Sequence, residues 1–148
     1  MTAADQTRPP YFAADMPIPQ PDRLTEPFWS GCRERRLLIQ HCTVCGTYRH
    51  LPSDVCSNCQ STEYDWVESR GDGTVFTYTI VWHSVHSSTN QKIPYNVVVV
   101  QLDDCGGVLV MSNLVDCGPD DVRVGLPVEL TWDDVGDDMV LYRFKRRS

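Results

Sequence analysis

The sequence predicts a mainly β protein: an N-terminal helix and a four-cysteine metal knot leading into a small five-stranded barrel. Two observations carry this. Residues 41–60, HCTVCGTYRHLPSDVCSNCQ, hold two Cys-x-x-Cys pairs, Cys42/Cys45 and Cys56/Cys59, separated by ten residues. Residues 66–148 then supply five short alternating or apolar runs with no useful helical stretch between them. At 148 residues the chain suits one domain with an appendage.

The first part, residues 1–24, contains five of the ten prolines. Proline fixes φ and has no amide donor, so the segment reads as an extended arm and not as helix or inner strand. Its Tyr11, Phe12, Met16 and Ile18 are more apolar than a spacer needs. The arm is either a disordered leader or a segment laid along a partner.

The second part, residues 25–65, joins a helix to the knot. In TEPFWSGCRERRLLIQ, Thr25 is the expected N-cap and Pro27 falls in the first turn. Phe28 and Cys32 stand four apart, as do Trp29 and Arg33, while RRLLIQHC turns toward a strand. Phe28 and Trp29 are either an exposed docking pair or rings packed on the protein's own body.

Two Cys-x-x-Cys pairs form a far more specific signal than one. Four thiolates at about 2.3 Å build a tetrahedral cage for Zn²⁺, and the x-x spacing lets each pair chelate from one tight turn. Gly46, directly after Cys45, supplies the backbone freedom such a turn requires. Zinc held by Cys42, Cys45, Cys56 and Cys59 has no open position, so it is structural. Iron is the other metal that this set accepts, and it would bring redox chemistry.

The third part, residues 66–148, is the barrel. GTVFTYTIVW alternates, placing Phe76, Tyr78, Ile80 and Trp82 on one face and Val75, Thr77, Thr79 and Val81 on the other. YNVVVVQL is apolar on both faces, as a strand buried on both sides would be. DDCGG makes a turn, VLVMSNL a third strand, and LPVELTW and MVLYRF a fourth and fifth across the acidic turn DDVGDD. Five short antiparallel strands in about eighty residues fit an OB-fold.

The other cysteines, Cys32, Cys105 and Cys117, are tied by no spacing to His41, His50, His83 or His86, so no catalytic nucleophile is expected. The long polar loop HSVHSSTNQKIPY carries His83, His86, Pro94 and Tyr95, and loops on a rigid barrel often touch ligands. A basic tail, YRFKRRS, opposes an acidic tract in which residues 116–138 hold eight carboxylates and one arginine. The net charge of −7 disfavours a phosphate backbone as partner. The longest apolar run, residues 97–100, is too short to cross a bilayer, and residues 1–24 lack a leader's apolar stretch, so a cytoplasmic, reducing setting is expected.

This order of parts resembles a known family. FWSG before LLIQHCTVCGTYRHLPSDVCSNC, then GDGTVFTYTIV, IPYNVVVVQLD and VRVGLPVEL, is similar to the acyl-CoA-associated OB-fold proteins with a rubredoxin-like zinc ribbon, domain of unknown function 35. The likeness runs over residues 26–144. It implies an accessory chain of thiolase-superfamily enzymes, thiolases or aldolases, sometimes alongside a MaoC-type hydratase. It also implies that the partner holds the catalytic residues and that two copies of each chain assemble. By the same resemblance the four cysteines hold the zinc, and Phe28 and Trp29 belong to a docking helix. The barrel and its 83–94 loop, with His83, His86, Pro94 and Tyr95, would lie near a CoA thioester shared with the partner. One departure is Ser57, where family ribbons often carry proline.

Three functions follow. The chain is a non-catalytic subunit of an acyl-CoA carbon–carbon lyase or acyltransferase, with steroid side-chain or aromatic acyl-CoA degradation as its setting. Alternatively it is an OB-fold module for single-stranded nucleic acid, stacking bases on Tyr78 and Trp82. The third reading is an iron-dependent electron carrier or small enzyme.

Overall fold

The computed structural model describes residues 8–136 and 138–148; the first seven residues of the predicted arm lie outside this set. One helix, α1 (Glu26–Arg33), precedes eight strands: β1 (Leu37–Cys42), β2 (Tyr48–Arg49), β3 (Tyr64–Ser69), β4 (Gly73–Val81), β5 (Tyr95–Leu102), β6 (Leu109–Ser112), β7 (Pro127–Asp134) and β8 (Val140–Arg146). They form two sheets, β2-β1-β3 in the ribbon and β6-β5-β4-β7-β8 in the barrel. β3 crosses the expected boundary at residue 65 and pairs along β1 from Leu37↔Ser69 to Cys42↔Tyr64, so the two parts share it.

α1 begins where expected, but Thr25 makes no side-chain cap. Asp22 does that work three residues earlier: its carboxylate accepts from the Leu24 and Thr25 amides at 2.9 and 2.8 Å. A capping carboxylate accepts from the amides two and three residues after it and favours the positive end of the helix.

The barrel closes between β6 and β8 through a parallel bridge, Leu114↔Phe144. The Ser112 hydroxyl donates to the Tyr142 carbonyl at 2.8 Å beside it. The core gathers Phe28 from α1, Leu37 and Ile39 from β1, and Val75, Val98, Val100, Val110, Val128 and Phe144 from the barrel. Asp104 clamps ribbon to barrel, accepting from the Ser69 hydroxyl at 2.7 Å and the Arg70 amide at 2.9 Å.

Two sequence expectations fail here, for local reasons. The register slips between Val75 and Thr77, a β-bulge that breaks the alternation of β4. Val75 and Tyr78, which strict alternation would put on opposite faces, pair with Val100 and Val98 on one face; Val75 is buried, while Phe76, Tyr78 and Trp82 are 52%, 39% and 69% exposed. β5 buries one face only: Val98 and Val100 are inside while Val97 and Val99 are half-buried.

The arm lies on the chain's own barrel. Tyr11 is buried, its amide donating to Asp133 at 2.9 Å and its hydroxyl accepting from Asn96 at 3.2 Å. Arg8 also reaches Asp133, and Asp15 accepts from the Ser87 hydroxyl at 2.9 Å. From Arg8 to Asp15 the arm thus packs on the chain's own barrel, where its rings and charges find complements.

Candidate metal centre

The four predicted cysteines converge. The Sγ atoms of Cys42, Cys45, Cys56 and Cys59 all lie within 4.8 Å of one another, with Cys42–Cys59 and Cys45–Cys56 both at 3.6 Å. Sulfurs 2.3 Å from a central ion in a tetrahedron stand about 3.8 Å apart, so this donor set fits a four-thiolate metal.

Two matching turns build it. The Gly46 amide donates to the Cys42 carbonyl and the Gln60 amide to the Cys56 carbonyl, each at 2.9 Å. Cys42 N–H reaches the Thr47 carbonyl at 2.8 Å, and Cys56 N–H reaches that of Ser61 at 2.9 Å. The residue after each second cysteine is left-handed, Gly46 at φ 79° and Gln60 at φ 64°. Glycine marked the first turn in the sequence; Gln60 carried no such signal.

Hydrogen bonds prepare the thiols for ionisation. The Thr47 hydroxyl, 3.1 Å away, and the Asn58 side chain bring Cys45 down to about 5. The Cys59 and Asn58 amides lower Cys56. Against the Ser61 amide, burial and the other three thiols push Cys59 up to about 12. A divalent cation resolves that conflict by holding four thiolates together. Asn58, to which the sequence attached no signal, thus supports two of the ligands, Cys45 and Cys56.

The remaining thiols are of another kind. Burial pushes Cys32 up to about 12, and burial with the adjacent Asp104 or Asp116 pushes Cys105 and Cys117 up to about 11. They stay protonated at neutral pH, as structural cysteines do.

Phe28 is only 2% exposed, so it is not the exposed anchor of the docking expectation. Its ring packs edge-on against Trp29 and Tyr142, at 5.0 and 5.6 Å, and 5.1 Å from His50. Trp29 is half-buried beside it. In the 83–94 loop, His86 caps the short 3-10 turn Ser87–Thr89 by accepting from the Ser88 amide, while His83 is exposed. Pro94 is exposed too, and Tyr95 packs edge-on against Phe12 of the arm at 5.0 Å. The structure does not bring the two histidines into one site.

Two cavities flank the arm. The larger, about 710 Å³, runs between the arm, the 88–92 segment and the β7–β8 hairpin; the smaller, about 300 Å³, lies on the other side of Phe12 and Met16, against Tyr95, Val97 and Met111. The basic tail is engaged by acids of this chain: Arg143 with Asp133, Lys145 with Glu129, Arg146 with Asp116, and Arg147 with Asp72 and Asp103.

Known families match both halves. Residues 29–65 match the ChsH2 rubredoxin-like zinc ribbon domain and residues 66–133 the ChsH2 C-terminal OB-fold domain. A DUF35 domain-containing scaffold protein of Methanocaldococcus jannaschii is 31% identical over 132 residues, 84% of this chain and 92% of that one. The chain belongs to the DUF35 family. A chain of the solved structure described as "Ltp2-ChsH2(DUF35) aldolase" superposes with a TM-score of 0.78 at 33% identity, covering 87% of this chain and 98% of that chain. A probable enoyl-CoA hydratase alpha subunit of Thermomonospora curvata is 36% identical over 119 residues, 80% of this chain. This DUF35 chain spans only 36% of that subunit's length, so the likeness concerns one portion of it. The ribbon and barrel expected from the resemblance are present, and among the described residues no helix is long and apolar enough to cross a membrane.

Proposed function

We propose that this chain is a non-catalytic accessory subunit that docks on a thiolase-fold enzyme, a thiolase or aldolase, acting on acyl-CoA substrates. The observation that carries the reading is the chain-long likeness to a DUF35 chain in an aldolase structure. The likeness to part of a hydratase subunit points to the same substrate class. Structural zinc at Cys42, Cys45, Cys56 and Cys59 fixes the ribbon but offers a substrate no vacant position.

The docking surface takes in exposed apolar residues on both faces of the β4–β5–β6 sheet, for Met111 lies in register with Val99 and Thr77, and Tyr78 with Val98 and Ser112. Phe76, Tyr78 and Trp82 on and after β4, with Leu109 and Met111 on β6, are between 38% and 69% exposed. β4 pairs with β7 only at Gly73 and Thr74, so its later residues leave one strand edge open. Exposed apolar patches of this kind mark interaction sites. His83, Pro94 and the half-buried Trp29 lie on elements that a partner could also reach.

The test is co-expression with thiolase-fold enzymes of acyl-CoA metabolism from the same organism. A stable complex whose activity needs both chains supports the reading. A partner fully active by itself, with this chain running separately on size exclusion, overturns it. Salt-sensitive binding of a single-stranded oligonucleotide would instead favour the nucleic-acid module.

A further inference from the structure

Among the described residues two arginines are buried, Arg49 at 8% exposed and Arg143 at 9%. Arg143 pairs with the buried Asp133 at 3.0 Å. Arg49 has no such partner, in a chain that holds 20 acidic residues. Its Nη2 donates to the Ser53 carbonyl at 2.9 Å, while Nε and Nη1, both buried, have no acceptor among the described residues. A buried guanidinium without counter-charge is costly, so its charge must be answered from farther off.

The strand register shows where that charge lies. β1 is the middle strand of the ribbon sheet. Gln40 stands opposite Arg49, and the Cys42 amide donates to the Thr47 carbonyl, so Cys42 is diagonal to Arg49. Residues two apart on a strand share a face, and diagonal neighbours stand about 7–8 Å apart. Arg49, Gln40 and Cys42 thus project on one side of the sheet. On β3, Tyr64 lies opposite Cys42, and the Arg49 guanidinium sits 5.5 Å from the centroid of its ring. The Arg49 side chain therefore crosses β1 beside Cys42. Its end holds Ser53, three residues before Cys56. Gln40 holds the same residue, accepting from the Ser53 amide at 2.8 Å, and its own Nε2 is buried without an acceptor.

Four thiolates around a divalent cation leave two negative charges uncancelled. The one buried arginine without a carboxylate, and the donor ends without an acceptor, lie on the face where that negative charge forms. We infer that Arg49 is the counter-charge of the four-thiolate centre: it raises the affinity of the four cysteines for metal through space, with no bond to sulfur. The inference concerns the metal centre alone and stands or falls separately from docking on an enzyme.

The test uses the full-length protein loaded with zinc or with iron, as wild type, Arg49→Gln and Arg49→Lys. A unit charge about 7–8 Å away in an effective dielectric of about 20 is worth more than tenfold in an equilibrium. In chelator competition Arg49→Gln should therefore hold zinc at least about tenfold more weakly, and Arg49→Lys close to the wild type. In the iron form the reduced centre is the more negative by one charge. Arg49→Gln should lower its reduction potential by at least about 59 mV, the same tenfold factor for one electron, while Arg49→Lys stays near the wild type. Gln40→Leu removes the other hold on Ser53 but no charge, so it should move the potential far less. Circular dichroism checks the fold, and Arg49→Met replaces Arg49→Gln if that variant does not fold. A potential that is unchanged or raised in the neutral variant overturns the inference even where zinc is lost, because Arg49 then acts only through Ser53. So does a fall in Arg49→Lys or Gln40→Leu as large as in the neutral variant, or an unchanged zinc affinity in the neutral variant.

Discussion

Asp133→Asn tests whether the arm is an integral part of the barrel. The Asp133 side chain has no exposed surface, and three donors converge on it: Arg8, the Tyr11 amide at 2.9 Å and Arg143 Nε at 3.0 Å. Asparagine keeps the shape and one acceptor but leaves two guanidinium groups facing each other without a counterion. Removing one partner of a buried pair costs about 3–5 kcal/mol. Arg8 is 23% exposed and can turn toward water, which puts the cost at the low end. A loss of about 3 kcal/mol lowers the melting temperature of a domain this size by roughly 6–12 °C. Arg8→Ala leaves Asp133 paired with Arg143 and should cost only about 1–2 kcal/mol. Urea and thermal melts of both variants, with metal content checked, give the ordering. Hydrogen exchange over residues 9–18 should show the arm losing protection in both. An Asp133→Asn protein that melts with the wild type, or loses no more than Arg8→Ala, refutes this account of the arm.

Other expectations follow from single observations. Cys42→Ser should abolish stoichiometric metal and unfold the ribbon, read by metal analysis beside circular dichroism; a colourless wild type with one zinc per chain separates zinc from iron. Burial lowers His50 from 6.5 to about 4. Its neutral form belongs to the folded state, so stability is full above pH 6.5 and falls as pH drops toward 4, by up to about 3 kcal/mol from this residue; an NMR titration of His50 with a midpoint near 6.5 would contradict it. Gly71 has φ 81°, and a Cβ there would sit 2.8 Å from Leu130 Cδ2. Gly71→Ala should therefore cost about 2–3 kcal/mol in a urea melt, from backbone strain and overpacking together. Met111 is 61% exposed; Met111→Asp should leave stability within about 0.5 kcal/mol while breaking co-purification with the enzyme partner.

The metal centre was legible because its information is local: cysteine spacing fixes two turns, and two turns fix a cage. The strand list was legible for the same reason, since turn residues and apolar runs mark strands one at a time. What the sequence hid was pairing across distance. The bulge after Val75 depends on how β4 meets β5, and it brings Val75 and Tyr78 to one face where strict alternation would separate them. The burial of Phe28 depends on Tyr142, more than a hundred residues away. Arg8 and Asp133 read separately as a basic residue in a proline-rich leader and one of eight acids in a tract; only the fold makes them a pair.

The zinc ribbon's effect on the barrel follows from where the two parts touch. The Cys42 turn ends β1, and β1 carries Leu37 and Ile39 into the common core. His50, beyond the second strand of the ribbon, stacks on Phe28 and Tyr142, joining ribbon, helix and β8 in one aromatic cluster. On the opposite side Asp104 holds β3 through Ser69 and Arg70. The ribbon is thus tied to the barrel by an apolar contact on one side and a carboxylate clamp on the other. A metal holding both knuckles fixes the spacing between β1 and the 50–60 segment, and with it the position of His50. Losing the metal should therefore loosen Phe28 and Trp29 before it disturbs β4–β6, because the strands that carry Met111 and Tyr78 are paired within the barrel alone. Cys42→Ser then separates two roles in partner binding: if docking uses the β4–β6 surface by itself, an isolated barrel fold still docks, and if it also uses the Trp29 surface, docking is lost together with the metal.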